Sequence, residues 1–186
     1  MRIGVLGSGT WGTTLANICG HHGHHVILWT RHQAQADEIS YHHTNRQYIP
    51  QKKLAPTIEA TTHLQTCLTD VDWVIFALPA KALGVINEIG PWLSPDKPFI
   101  ITTKGFSPDQ PITIRQYTET ILTNPIGILS GPNIASEILD EKPTATTLAL
   151  THPMVQTIQQ ALSNHVMRVY THTDLIGVEL GGIFKN

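Results

Sequence analysis

Three features of the amino-acid sequence predict an α/β fold, doubly wound around a mostly parallel sheet. Short apolar runs alternate with longer segments of helical period, the pattern of successive βαβ units. A glycine-rich segment directly follows the first of these runs and opens the first helix. Helix stops are legible, with Gly23 after the first helix and Gly90-Pro91 after a later one. At 186 residues the chain is long enough for one well-buried domain of this class.

The first strand is expected at residues 2–6, where Ile3, Val5 and Leu6 cluster. It is followed by a helix over 11–22 and a second strand over 25–29. A helix at 33–39 leads to the shortest apolar run, 57–58. Strands at 73–77 and 99–102 then flank a helix at 80–89. A helix at 112–120 precedes a strand at 127–129, a helix at 135–139 and a strand at 145–149. A helix at 153–162 and a strand at 167–170 complete the alternation. From Asp174, placed to cap a helix, the apolar run Leu175 to Phe184 reads as a buried helix opening that stops at Asn186 without a cap. Residues 1–173 are therefore expected to form one domain. Residues 174–186 are expected to start a helical domain otherwise absent, with Leu175, Ile176, Val178, Leu180, Ile183 and Phe184 left exposed, giving weak self-association or a frayed end.

The formal net charge of −2 is too small to suggest a nucleic-acid partner or an anionic membrane surface. No apolar run approaches the roughly 20 residues that span a bilayer. The chain opens in a strand, without the charged and apolar regions of a signal peptide. Cys19 and Cys67 stand far apart and form no CxxC pair, as expected of free thiols in a cytoplasmic protein.

The segment Gly7-Ser8-Gly9-Thr10-Trp11-Gly12 is G-x-G-x-x-G between a strand and a helix, the arrangement that binds a dinucleotide in Rossmann-type folds. Gly7 permits the tight turn, Gly9 lets the backbone approach a pyrophosphate, and Gly12 lets the helix pack closely on the strand, with the helix N-terminus facing the anion. A P-loop is excluded, because Thr13-Thr14 stand where Lys and Ser/Thr are required. NAD or NADP is the cofactor this predicts. An acid normally ends the second strand and binds the ribose of NAD, but Thr30-Arg31-His32 stand there and the first acid is Asp37. A cationic pair faces a 2′-phosphate well, so NADPH is expected to be accepted. Preference for it, and Arg31 as a merely solvated charge, both stay open at this point.

Ligands of open parallel sheets lie beyond the carboxyl ends of the strands. Leu78-Pro79-Ala80 turns there, and Lys104 emerges from Thr103-Lys104-Gly105, suited to a phosphate or a substrate oxygen. Ser130-Gly131-Pro132-Asn133 offers the Gly131 backbone and the Asn133 amide, either as ligands or with Asn133 as a plain helix cap. Counting back from Lys185 by helical steps reaches Gly182, Gly181 and Gly177 on one face, so the lysine stem lies over a surface stripped of side chains. Glycine weakens a helix by about 1 kcal/mol per position, so three imply a use: room for a ligand or close helix packing. The run His21-His22-Gly23-His24-His25 falls at the amino end of the second strand, away from this crevice. No Cys or carboxylate stands at ligand spacing, so adventitious nickel or zinc capture is expected rather than a functional metal site. His42-His43 is expected in a solvated loop, and Trp73 and Trp92 in packing.

Taken in order, these motifs resemble the bacterial-type NAD(P)-dependent sn-glycerol-3-phosphate dehydrogenase. The resemblance runs from Arg2 to Asn186 and rests on five stretches. They are Gly7-Ser8-Gly9-Thr10-Trp11-Gly12-Thr13, Thr103-Lys104-Gly105, Ser130-Gly131-Pro132-Asn133 with Ala135 and Glu137, Arg168-Val169-Tyr170, and Ile176-Gly177-Val178-Glu179-Leu180-Gly181-Gly182-Ile183-Phe184-Lys185-Asn186. It implies reversible reduction of dihydroxyacetone phosphate to sn-glycerol 3-phosphate, feeding phospholipid synthesis, and leaves a homodimer open. It implies cofactor contacts at Thr10, Trp11, Arg31, His32, Tyr48, Lys104 and Ala135, and substrate contacts at Lys104, Gly131, Asn133 and Lys185. Lys185 is implied as the general acid/base, with Lys104 disfavouring its charged form. Thr10 replaces the usual Ser, and Asn133 a common Ser or Thr. Similar enzymes continue into a second, mostly helical domain. A non-catalytic NAD(P)-binding module or sensor is the alternative, sharing the glycine turn and making no use of Lys185.

Overall fold

A computed structural model describes residues 1–185. Eight strands form one sheet: β1 Arg2–Leu6, β2 His25–Trp29, β3 Ile58–Thr61, β4 Trp73–Phe76, β5 Phe99–Ile101, β6 Ile126–Ser130, β7 Thr144–Ala149 and β8 Met167–His172. Their spatial order is β3-β2-β1-β4-β5-β6-β7-β8, parallel throughout except where β6 meets β7. The order reverses at β1, whose neighbours are β2 and β4, and a crevice therefore opens beyond the carboxyl ends of β1 and β4. This is the doubly wound, mostly parallel α/β sheet that the alternating pattern predicts.

Among the described residues seven α-helices accompany the strands, six between them and the last after β8: α1 Thr10–His21, α2 Gln33–His42, α3 Leu64–Leu68, α4 Ile114–Glu119, α5 Ala135–Leu139, α6 Val155–Leu162 and α7 Leu175–Lys185. Leu15, Ile18, Ile39, Ile138 and Ile158 from α1, α2, α5 and α6 bury against one face of the sheet. Leu68 and Ile114, with Leu83 and Ile86 of the segment after β4, cover the other. Both faces being covered explains why β4, β5 and β6 are buried at every position.

Several elements differ from expectation. The segment Ala80–Glu88 is a 3₁₀ helix with a kink at Ala82 (φ −102°, ψ 16°), entered through Pro79, rather than a regular α-helix. The third strand begins at Ile58 and runs to Thr61, because its pairing with Val26–Trp29 carries it past the apolar run. Helix α3 has five residues and too short a pattern to declare itself. The expected helix at 112–120 starts two residues later, at a capping box in which Thr113 Oγ1 accepts from the Gln116 amide and the Gln116 side chain accepts from the Thr113 amide.

The last helix packs against this body. Asp174 Oδ1 accepts from the Gly177 amide at 2.8 Å, and Leu175 and Val178 pack on the second core. Of the six apolar side chains expected to be exposed, only Ile176 and Phe184 are. The histidine run diverges: His22 Nδ1 meets the Ala161 carbonyl at 3.0 Å, while His25 Nε2 pairs with Glu59 of β3 at 3.3 Å, a carboxylate distant in sequence. Trp73 is fully buried and Trp92 is 40% exposed. Both thiols are free and buried, and burial pushes each up to about 12. Among the described residues no helix is long and apolar enough to cross a membrane.

Candidate active site

The turn after β1 begins at Gly7, whose φ of +118° is a conformation that side chains resist. A Cβ on Gly12 would strike the Gly7 carbonyl, so α1 can approach β1 this closely only with glycine there. Gly9 is the opposite case, since a Cβ built on it meets nothing within 4 Å. Helix α1 then starts with neither a side-chain cap nor an acid in its first turn. The turn therefore presents open space in front of a helix N-terminus, the combination a pyrophosphate fits.

A buried polar network holds this turn. Asn45 Nδ2 donates to the Ser8 carbonyl and to Thr13 Oγ1, both at 2.9 Å. Gln35 Nε2 donates to the same carbonyl at 3.0 Å and to Asn45 Oδ1 at 3.1 Å. Gln35 Oε1 in turn accepts from Ser8 Oγ and Thr30 Oγ1, at 2.9 and 2.6 Å. All five side chains are buried. For Gln35 and Thr13 the one sequence cue is a polar residue placed where a helix should face the core, and Asn45, in the loop after α2, has none.

Three contiguous hollows form a single cleft across the strand ends. The first, of about 290 Å³, lies between the glycine turn and the end of β2, with Arg31, His32, Tyr48 and Lys81 on its walls. Among its lining residues there is no carboxylate, and Asp37 instead accepts from Gln33 at 2.8 Å on the exposed side of α2. The second, of about 570 Å³, shares Gly9 and the Ala77-Leu78-Pro79 turn with the first and runs past Thr10, Trp11, Lys104, Asn133 and Ala135. The third, of about 250 Å³, shares Ser130 and Gly131 with the second and reaches Gly177, Gly181, Gly182 and Lys185. Every residue singled out from the sequence as a binding or catalytic candidate lines this cleft, Gly12 excepted; its place is behind the turn.

Lys104 is set by its neighbours. Thr102 Oγ1 donates to the Phe76 carbonyl and Thr103 Oγ1 to the Leu78 carbonyl, tying the end of β5 to that of β4. Gly105, at φ +120°, then turns the chain away. The half-buried Lys104 Nζ donates to the Gly131 carbonyl at 3.0 Å. Burial, and then the charge of Lys185, lower its proton affinity below the usual lysine range.

Asn133 does not cap a helix: α5 starts after Ile134 with no side-chain cap, and Asn133 Nδ2 donates to Thr144 Oγ1 and the Ala145 carbonyl of β7. Only its Oδ1 remains for a ligand. The three glycines of α7 serve different ends. A Cβ on Gly182 would strike Ser130 Oγ, so this glycine seats α7 on the end of β6. One on Gly177 would strike the capping Asp174 side chain, whereas Gly181 faces open space.

Comparison with known proteins adds an independent finding. The model of the NAD-dependent glycerol-3-phosphate dehydrogenase N-terminus matches residues 2–156. The chain belongs to this family. It is 36% identical over 189 residues to glycerol-3-phosphate dehydrogenase [NAD(P)+] of Teredinibacter turnerae, covering 100% of this chain and 56% of the relative. It is 39% identical over 194 residues to the Corynebacterium diphtheriae protein of the same name, covering 100% of this chain and 58% of that one. The crystal structure of glycerol-3-phosphate dehydrogenase from Coxiella burnetii superposes with a TM-score of 0.90 at 29% identity, over 97% of this chain and 56% of that one. The chain thus spans a little over half the length of these relatives.

Proposed function

We propose that this chain is the cofactor-binding part of an NAD(P)-dependent sn-glycerol-3-phosphate dehydrogenase, which interconverts dihydroxyacetone phosphate and sn-glycerol 3-phosphate and so feeds phospholipid synthesis. The observation that supports this best is the course of the cleft, which runs from Arg31 past the uncapped N-terminus of α1 to Lys104 and on to Lys185. In this reading residues 1–173 hold the dinucleotide and α7 begins the substrate-binding part.

Thr10 and Trp11, beside the open face of Gly9, would hold the pyrophosphate, and Arg31, His32 and Tyr48 would receive the adenosine end, where a cationic rim without a carboxylate suits NADPH. Ala135 lines the wall beyond the phosphates. The nicotinamide, when bound, supplies the hydride chemistry. The chain's own groups place the substrate and manage the proton. Lys104, anchored on the Gly131 carbonyl, attracts the phosphorylated substrate, and Asn133 Oδ1 accepts from one of its hydroxyls. Lys185 Nζ gives a proton to the C2 oxygen during reduction and takes it back during oxidation.

Turnover is measured in a protein of the relatives' full length carrying this chain. Lys185→Ala is expected to lower kcat about 100-fold or more while cofactor binding persists. Near-normal turnover would remove Lys185 from the chemistry. Cofactor binding with no dihydroxyacetone phosphate reduction in the unmutated protein would favour a non-catalytic module.

A further inference from the structure

We propose that the Arg115–Glu179 ion pair is a clamp that sets the separation of the two cleft lysines, which makes both of its members positioning residues for the site. Arg115 belongs to α4 and Glu179 to α7. The Arg115 backbone amide donates to Glu179 Oε1 at 3.0 Å, and its Nε to Oε2 at 3.1 Å, with side-chain exposures of 14% and 8%. Its Nη1 donates to both oxygens of Glu119 at 2.7 Å. The fork is thus held from two sides, and α7 is fixed against α4 by one carboxylate that reads a backbone and a side chain together.

Each end of the clamp leads to one lysine. Chain-wise, Lys104 and Arg115 bracket a short segment stitched upon itself. Phe106 bridges to Thr113, the Ser107 amide donates to the Ile112 carbonyl, and the capping box at Thr113 starts α4. On the other element, Lys185 follows Glu179 by less than two helical turns. A force on the Arg115–Glu179 contact is therefore a force on the distance between the two ammonium groups.

That distance needs holding. Among the described residues no carboxylate pairs with Lys104 or Lys185. Among the charged groups on the surrounding elements, Lys185 of α7 bears on Lys104; Arg115, Glu119 and Glu179 are mutually paired; Glu137 of α5 meets Lys142; and Lys81 lines the first hollow, while the end of β6 offers only uncharged Ser130 and Gly131. Lys104 on the second hollow and Lys185 on the adjoining third are close enough for the charge of Lys185 to bear on Lys104, and the repulsion between them pushes α7 outward. Inward motion is blocked, because Gly182 already lies against Ser130 Oγ, with the Lys104 stem 3.6 Å from where its Cβ would stand. Steric contact sets the inner limit and the ion pair sets the outer one.

The meaning of the clamp for catalysis rests on the roles proposed above for the two lysines. Its test does not, because it reads the proton affinity of one amine in the 186-residue chain and involves no turnover. The rate of Lys104 acetylation by an N-hydroxysuccinimide ester is followed against pH by peptide mass spectrometry. Lys185→Met removes the facing charge, so neutral Lys104 becomes scarcer and its profile moves to higher pH, with labelling about threefold slower at fixed pH. Glu179→Gln is expected to move the profile the same way by releasing α7. The double variant should move it no further than Lys185→Met alone. If Glu179→Gln does not fold, Arg115→Lys, which keeps the charge and loses the fork, is expected to give a smaller shift in the same direction. An unmoved profile in a folded clamp variant overturns the proposal. So does an unmoved profile in Lys185→Met, or a further shift in the double variant.

Discussion

The Ser8 carbonyl accepts from three side chains, Gln35, Asn45 and Thr13, at 3.0, 2.9 and 3.1 Å. With its lone pairs turned inward, the peptide that follows is fixed with its amide side toward the cleft, which is the side an anion needs. Asn45→Ala removes two of the network's donors and leaves the Gln35 amide short of its acceptor in a buried place. It should destabilise the chain by about 2–3 kcal/mol in urea unfolding and weaken NADPH binding by about tenfold in fluorescence titration. Arg31 acts at the other end of the same hollow. Arg31→Ala should weaken NADPH about tenfold, as loss of a charge-assisted contact does, and leave NADH nearly unchanged, so the ratio of the two Kd values is the readout. The glycine turn and the place of Arg31 on the cleft were legible because both follow from neighbours in sequence. Asn45 was not, since its partners Ser8 and Thr13 precede it by 37 and 32 positions and only the fold brings them together.

At the scale of elements, α7 shows how one composition conceals several physical roles. The three glycines read alike in sequence as one face stripped of side chains, for a ligand or for close helix packing, yet of the three only Gly181 faces open space. Gly182→Ala must displace α7 from Ser130 and should cost about 1–3 kcal/mol, as overpacking does, together with a raised KM for the phosphorylated substrate in the full-length protein. Gly181→Ala meets no neighbour and should stabilise the helix by up to about 1 kcal/mol. Urea denaturation of the two variants side by side checks both signs. The capping box at Thr113 was written locally, but the expected start was two residues early because Ile112 continues the apolar pattern. The 3₁₀ geometry after Pro79 was hidden for a related reason: Ala80–Glu88 has good helical periodicity, while the kink at Ala82 answers to the turn it must make beside the cleft. Glu179 was visible as an acid inside an apolar helix, but its partner Arg115 lies 64 positions away.

For the molecule as a whole, the doubly wound, mostly parallel class was legible from the alternation and the glycine turn, whereas the strand order, its switch at β1 and the antiparallel β6–β7 pair were not. The connection through α5 is five residues of helix between two strands, and nothing in its pattern states the direction of return. The site carries a cost to the fold that pH exposes. Lys104 releases its proton more readily folded than unfolded, so the unfolded chain binds more protons there. Stability therefore rises with pH from the lowered value up to the ordinary lysine range, and below it the folded state bears the full penalty. Lys104→Met should raise Tm at pH 7 by on the order of 1–2 °C, a small gain because the ammonium is partly solvated, and the gain should shrink as the pH is raised. The central claim is that a dinucleotide lies along the cleft from Arg31, over the N-terminus of α1, to the lysine pair. The most direct measurement is an amide NMR titration of this chain with NADPH. Saturable shifts centred on Gly9, Thr10 and Trp11 and extending to Arg31 and Lys104 are expected; no saturable shift, or shifts centred away from the residue 7–12 turn, would contradict it.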